Sequence, residues 1–189
     1  RVPPFFPIDS EGLLVGDYES LAHQAVQALG CEVYAVRSSA LTEDGEHSSQ
    51  AGQFLTLLGV APKDLGKAIE ALAQDAQKKL GGLKTFSVLI QAFIEPDRSG
   101  VCFTRNPLGG REWVLESHEG RGDRLVGGEI RPEQSKGYWS QQVDFPDFGV
   151  FKQIEDLFGF PQDIEWCIKD GELFLLQTRP ITKKKKSSF

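Results

Sequence analysis

The sequence predicts a protein of the α+β class, with helices, strands and at least one antiparallel hairpin. Three stretches carry apolar residues at helical spacing: residues 17–29, 62–80 and 150–158. Gly30 and Gly81 lie where the first two helices would end. Four apolar runs are typical of buried strands: residues 32–36, 86–94, 100–104 and 113–116. Two alternating runs flank Asp170-Gly171 and predict a β-hairpin over residues 163–180.

Composition limits the classes of function. The 189 residues are 40% hydrophobic and 25% charged, which is ordinary for one medium domain with a core. A formal net charge of −6 argues against a general nucleic-acid-binding protein. Three cysteines without a CxxC pair indicate reduced thiols. With no secretory or membrane-spanning run, we expect a cytoplasmic protein that does not bind membranes.

The turn of the hairpin decides which side chains share a face. A three-residue loop, Lys169-Asp170-Gly171, would put residues of equal parity together. One face would then be core: Ile164, Trp166, Ile168, Phe174 and Leu176. The other would gather polar groups at the open end: Asp163, Glu165, Gln177 and Arg179. A two-residue loop would shift the register by one and separate the acids from Gln177 and Arg179. We expect the three-residue loop.

The polar set at the open end has the chemistry of a metal-phosphate site. Carboxylate and amide oxygens of Asp163, Glu165 and Gln177 are hard ligands of the kind that Mg²⁺ takes. The planar guanidinium of Arg179 can grip a phosphoryl group with two hydrogen bonds. The alternative is an ordinary surface ion pair at a strand end, which contributes little to stability.

A second candidate follows the strand at residues 32–36, which delivers Arg37, Ser38 and Ser39 at its end. An arginine with two hydroxyls suits a polyphosphate. The same arginine could equally pair with an acid at a strand end, and the residues alone leave both interpretations open.

Three segments, in this order, carry a resemblance to a known family. They are V-R-S-S-A at 36–40 with E-D at 43–44 and A-G-Q at 51–53, S-G-V-C-F-T-R-N-P at 99–107, and D-I-E-W at 163–166 followed by L-Q-T-R-P at 176–180. Together they resemble the ATP-binding domain of the pyruvate phosphate dikinase and phosphoenolpyruvate synthase family. With gaps, the likeness extends from Val2 to Thr182.

The resemblance implies an abbreviated ATP-grasp fold, α+β, with mostly antiparallel sheets and flanking helices that hold ATP between two sheet layers. We expect residues 1–182 to form this nucleotide-binding domain and residues 183–189 to be a basic tail. In the family, ATP phosphorylates a histidine on a separate carrier domain, so the implied partners are ATP, Mg²⁺ and such a domain.

Site residues follow from the same resemblance. Arg37 and Arg179 would contact the phosphates and be catalytic. Asp163, Glu165 and Gln177 would organise Mg²⁺. Gln91 and the backbone around Phe93 would meet adenine, Thr56 would lie in the nucleotide site, and residues 45–53 would form a mobile loop over the phosphates.

Two departures from the family pattern keep other functions open. The family has a glycine-rich segment with a triphosphate-binding lysine just before V-P-P, and this sequence begins at Arg1, directly before Val2-Pro3-Pro4. We therefore expect either an N-terminally truncated domain or one without that lysine. Asp123 also stands where the family has glutamate. The alternatives are a regulatory nucleotide-binding module that has lost turnover, and a ligase that forms an acyl phosphate.

Overall fold

The structure, a computed structural model, describes residues 1–40, 55–120 and 132–181. It confirms the α+β class, because helices accompany two sheets in which every described strand pair is antiparallel. The chain divides into two compact units, a first unit of Pro3–Phe93 and a second unit of Ile94–Phe189 with Arg1–Val2. No helix within the described ranges is long and apolar enough to cross a membrane.

The first unit is a four-stranded sheet with the strand order β1-β4-β2-β3. Its elements in chain order are β1 (Phe5–Ile8), α1 (Ser10–Val15), α2 (Tyr18–Leu29), β2 (Tyr34–Ala40), β3 (Thr56–Val60), a 3-10 turn (Pro62–Asp64), α3 (Leu65–Leu80) and β4 (Phe86–Ala92). Asp17 caps α2 by accepting a hydrogen bond from the Ser20 N–H, and Gly30 ends the helix with a left-handed residue. The predicted helix at residues 17–29 is confirmed.

One apolar stripe attaches α3 to this sheet. Leu65, Ile69 and Leu72 on the helix are at most 1% exposed and belong to the same buried cluster as Val36 and Ile90 on the strands. Removing this apolar area from water is the main favourable term that holds the unit together.

The second unit is a five-stranded sheet with the order β7-β6-β5-β8-β9. Its elements are β5 (Arg98–Phe103), β6 (Trp113–Glu119), β7 (Glu133–Gly137), α4 (Gly149–Phe158), β8 (Gln162–Lys169) and β9 (Glu172–Pro180). One face packs on α4 through fully buried Trp166 and Phe151. Phe145 meets Trp166 edge-to-face with ring centroids 4.9 Å apart. We call the opposite side of the sheet the polar face.

Several boundaries differ from the sequence expectations. Strand β2 continues through Ala40, so Arg37 lies within a strand and not beyond its end. Helix α1 and strands β3 and β7 were not predicted from the sequence. The predicted mobile loop at residues 45–53, Asp123 and the basic tail at residues 183–189 lie outside the described residues.

Candidate metal-phosphate site

The turn between β8 and β9 has two residues, so the three-residue loop predicted from the sequence is wrong. Lys169 pairs directly with Glu172. Asp170 and Gly171 both have positive φ, at 52° and 76°. Positive φ at both central residues is the type I′ turn, whose twist matches that of the flanking strands, and Asp-Gly is among its preferred sequences.

A β-bulge nevertheless restores the predicted grouping at the open end. The register shifts between Trp166, which pairs with Leu175, and Glu165, which pairs with Gln177. Leu176 is therefore an extra residue on β9. Beyond it, Asp163 lies opposite Arg179 and Glu165 lies opposite Gln177, all on the polar face.

The core face near the turn does not follow the prediction. Leu173 is 2% exposed, and Leu175 packs with it against the α4 side of the sheet. The two-residue turn puts Leu173 opposite Ile168 and Leu175 opposite Trp166. Phe174 and Leu176, which were expected in this core, are only half-buried.

Asp163 and Arg179 form an ion pair. The Arg179 Nε–H donates to Asp163 Oδ2 at 2.7 Å. Asp163 is 9% exposed, and its Oδ1 is buried with no hydrogen-bond partner among the described residues. Burial raises the pKa of Asp163, Arg179 opposes that shift, and the negative charges of Glu165 and Glu116 add to it. A cation near Oδ1 would favour the ionised carboxylate.

Glu116 is a residue of this face that the sequence analysis did not single out. It lies on β6 opposite Val101, which in turn lies opposite Glu165 on β8. Gln134 on β7 donates from Nε2 to Glu116 Oε1 at 2.9 Å. The alternation of W-V-L-E-S-H-E puts Glu116 on the face opposite Trp113 and Leu115, but the neighbouring strand could not be identified from sequence.

The first unit holds the other predicted site residues. Arg37 is 8% exposed and lies between Thr56 on β3 and Leu89 on β4. Thr56 is exposed. Their nucleotide contacts remain predictions.

The two residues predicted to meet adenine are more constrained. Gln91 is only 2% exposed, with Phe5 on one neighbouring strand and Ala35 on the other. The Phe93 N–H already donates to Val33 O at 3.0 Å. Any base contact at Phe93 must therefore use groups other than this N–H, and the adenine contact stays a prediction.

The donor set of the second unit fits Mg²⁺ by its chemistry. Asp163, Glu165 and Gln177 supply hard oxygen atoms from one end of β8 and β9. In the described part of the chain, no three His, Cys, Asp or Glu side chains are grouped so as to hold a metal by themselves. A cation at this site would therefore need the amide oxygen, water or phosphate oxygens as further ligands.

Comparison with known proteins places these features in a family. Residues 5–142 and 149–188 match the family model described as "Pyruvate phosphate dikinase, AMP/ATP-binding domain".

Three curated proteins show the range of relatives. An uncharacterized phosphotransferase, YvkC, of Bacillus subtilis is 28% identical over 78% of this chain and 24% of its own length. A rifampicin phosphotransferase of Bacillus cereus is 29% identical over 87% of this chain and 25% of its own. The phosphoenolpyruvate synthase of Pyrococcus furiosus is 30% identical over 83% of this chain and 27% of its own. The chain thus spans about a quarter of the length of these relatives.

Among solved structures, the D-alanine-D-alanine ligase of Helicobacter pylori aligns over 97% of this chain and 50% of its own, with a TM-score of 0.49 and 10% identity. The family match covers most of the chain, and the two antiparallel sheets with their helices confirm the α+β class. The ATP-grasp fold stays what the sequence resemblance implies. The chain belongs to the family of the pyruvate phosphate dikinase AMP/ATP-binding domain.

Proposed function

We propose that this chain binds ATP with Mg²⁺ and presents a phosphoryl group for transfer to a histidine on a carrier domain. The observation that carries the proposal is the pairing at the open end of β8 and β9. There Glu165 lies opposite Gln177, and Asp163 forms its ion pair with Arg179, on one face of the sheet.

In this proposal, Asp163 positions Arg179 for phosphate binding. The ion pair uses Nε of the guanidinium and the Oδ2 atom of the carboxylate. The two terminal nitrogens of Arg179 lie beyond Nε, and the side chain is 34% exposed. A planar guanidinium fixed at Nε can offer its remaining N–H groups to two phosphate oxygens. Stabilising negative charge on a phosphoryl group in this way is the main contribution that a protein makes to phosphoryl transfer.

Mg²⁺ would be held by Asp163, Glu165 and Gln177. The buried Oδ1 of Asp163 supports this assignment, because a carboxylate oxygen hidden from water without a donor is costly and a cation would satisfy it. When bound with ATP, Mg²⁺ supplies charge neutralisation and alignment of the phosphates.

The first unit would contribute Arg37 to the phosphates and Thr56, Gln91 and Phe93 to the rest of the nucleotide. Arg37 is held in β2 between two strands, so its position is fixed by the sheet. Arg37 and Arg179 are the residues that we propose as catalytic, as the family resemblance implies.

The acceptor and the compartment are further parts of the proposal. Relatives named phosphoenolpyruvate synthase and phosphotransferase support transfer away from ATP. The resemblance to the dikinase family supports a histidine carrier as the acceptor. Cys31, Cys102 and Cys167 form no disulfide, which fits the reducing cytoplasm that we propose as the compartment.

Calorimetric titration with ATP, with and without Mg²⁺, tests the binding step. We expect wild-type chain to bind ATP in a Mg²⁺-dependent manner. Glu165→Gln should lose that binding, because it replaces a carboxylate ligand with an amide of nearly the same shape. Glu119→Gln is the matched control, since it makes the same change at an exposed position on β6. A folded Glu165→Gln chain that binds like wild type would refute the assignment.

Transfer is tested separately with ATP labelled in the γ- or β-phosphate and a purified histidine carrier domain. Direct transfer of the γ-phosphoryl group should give acid-labile γ-label on the carrier together with ADP. A reaction of the dikinase type should give acid-labile β-label on the carrier together with AMP, with the γ-phosphate released as inorganic phosphate. Mg²⁺-dependent binding without labelled carrier would favour the regulatory module instead.

A further inference from the structure

A row of side chains crosses the polar face from β7 to β9. In order across the sheet they are Gln134, Glu116, Val101, Glu165 and Gln177. Directly opposite residues in antiparallel strands share a face, so all five point to the same side. An acid beside an amide thus occurs twice, with Val101 between the two pairs.

Glu116 is oriented by its neighbour. Gln134 Nε2 donates to Glu116 Oε1 at 2.9 Å. Since Gln134 lies directly opposite Glu116, the bond connects adjacent strands and restrains the carboxylate on the polar face.

A separate observation links this row to a ligand. Asp163 is 91% buried, as its exposed fraction is 9%, and its Oδ1 has no hydrogen-bond partner in the described ranges. Asp163 lies two residues before Glu165 on β8, hence on the same face. Glu165 and, across β5, Glu116 add negative charge on the face where this oxygen is buried.

We infer that Glu116, held by Gln134, is a further positioning residue of the metal-phosphate site, where its charge attracts Mg²⁺ to Asp163 and Glu165. This inference rests on the proposed function. Glu116 is assigned a long-range electrostatic role and no direct bond to the metal.

The spacing of the strands explains why the role is indirect. Glu116 and Glu165 are two strands apart, which separates their Cα atoms by roughly 10 Å. The described acids also do not gather into a three-carboxylate metal cluster. At this separation a unit charge still attracts a divalent cation, and removing it should weaken Mg²⁺ affinity by about threefold to tenfold at low salt.

The test is a set of ATP titrations on the purified chain at increasing Mg²⁺ concentrations. Glu116→Gln removes the charge while its new amide oxygen can still accept from Gln134. We expect the Mg²⁺ concentration for half-maximal ATP binding to rise by about threefold to tenfold. In the absence of Mg²⁺, ATP affinity should stay equal or increase, because a charge that repels phosphate has been removed. This difference excludes a merely structural effect, which would weaken ATP binding both with and without Mg²⁺.

Two further variants complete the design. Gln134→Ala should shift the Mg²⁺ dependence in the same direction but less, because the carboxylate remains and loses only its orientation. Glu119→Gln changes the same charge on the same strand and should leave the midpoint unchanged. Thermal melts of each variant show that the chains are folded.

The outcomes separate this inference from the proposed function. If Glu165→Gln abolishes Mg²⁺-dependent binding while Glu116→Gln matches wild type, the inference is wrong and the proposed function stands. Equal weakening of Glu116→Gln with and without Mg²⁺ also overturns the inference. Absence of Mg²⁺-dependent ATP binding by the wild-type chain overturns both.

Discussion

Arg179 lies directly opposite Asp163 and donates to its carboxylate at 2.7 Å, although the two-residue turn alone would place Thr178 there. From the turn, Lys169 pairs with Glu172, and uninterrupted pairing would continue in that register. The extra residue Leu176 moves Arg179 one position along and onto the polar face. The candidate site therefore depends on a bulge as well as on the identity of its side chains.

Deleting Leu176 should leave the site in place. Leu175 would then be followed directly by Gln177, so uninterrupted pairing from the turn still puts Gln177 opposite Glu165 and Arg179 opposite Asp163. We expect Mg²⁺-dependent ATP binding to be retained in calorimetry. Leu176→Ala keeps the extra residue and should retain binding as well. A folded deletion variant that no longer binds would show that the site needs the local twist of the bulge in addition to the register.

Replacing Arg179 by leucine should destabilise the fold, because Asp163 would stay buried without its charged partner. The carboxylate would lose its charged donor, so we expect the free energy of unfolding to fall by about 1–3 kcal/mol at pH 7. The ion pair is partly solvent-screened, which favours the lower end of this range. Urea denaturation of both chains measures the difference.

The same variant has a defined pH dependence. Burial raises the pKa of Asp163, and losing Arg179 raises it further. Because the pKa of Asp163 is higher in the folded variant than in its unfolded chain, the folded variant binds the proton first as pH falls. Protonation removes the buried charge, so the variant regains stability relative to wild type. The deficit of Arg179→Leu should therefore be largest at pH 7 and smaller near pH 4. Asp163→Asn carries no charge to bury, so in that background the Arg179 replacement should be less damaging at pH 7, and the damage should no longer depend on pH in this range.

The pKa of Asp97 is shifted downward, opposite to that of Asp163, so its effect on stability has the opposite pH dependence. It accepts hydrogen bonds from Lys169 Nζ at 2.8 Å and from the Asp170 N–H at 2.7 Å, beside the hairpin turn. The hydrogen bond from Lys169 lowers the pKa of Asp97, and the bond from the Asp170 backbone adds to this effect. A lowered native pKa contributes stability that is complete above the ordinary aspartate pKa and is lost as pH falls through the lowered value.

Asp97→Asn should therefore be less stable than wild type at pH 7 and approach it below about pH 4, where the wild-type carboxylate protonates. Thermal melts across this pH range measure the difference, and Asp144→Asn, an exposed acid of the same unit, is the control. A constant difference between Asp97→Asn and wild type at all pH values would contradict the role of the charge.

The sequence was most informative where local signals were strong. Asp17 and Gly30 bracket α2 as capping chemistry predicts, and Gly81 ends α3. The grouping of Asp163, Glu165, Gln177 and Arg179 was predicted, but through a loop that does not form. The bulge at Leu176 could not be predicted, because no local signal distinguishes an extra residue from a regular one.

Other features depend on tertiary pairing. Strand β7 has the sequence E-Q-S-K-G and is mostly exposed, and among the described strands it pairs with β6 alone, so it carries no apolar pattern. Glu116 joins the candidate site only because β5 lies between β6 and β8. The order of strands in a sheet is a long-range property that periodicity does not contain.

Gly100 is required by the close approach of β5 to its neighbours. A Cβ atom there would collide with the carbonyl oxygen of Glu116 and lie 2.7 Å from a ring carbon of Trp166. The strand backbone would have to move, and Trp166 is fully buried among aromatic rings, so neither neighbour can yield freely. We expect Gly100→Ala to lower the free energy of unfolding by about 1–3 kcal/mol or more.

The matched control is Gly149→Ala at the start of α4, where an added Cβ meets nothing within 4 Å. This change should be neutral or stabilising by about 0.5–1 kcal/mol, because alanine favours the helix. Denaturant unfolding followed by tryptophan fluorescence measures both variants, since Trp166 reports on the affected core.

Because Gly100 also supports the strand between Glu116 and Glu165, its alanine variant should weaken Mg²⁺-dependent ATP binding. Unchanged stability of Gly100→Ala would mean that β5 and β6 are not in the contact described here.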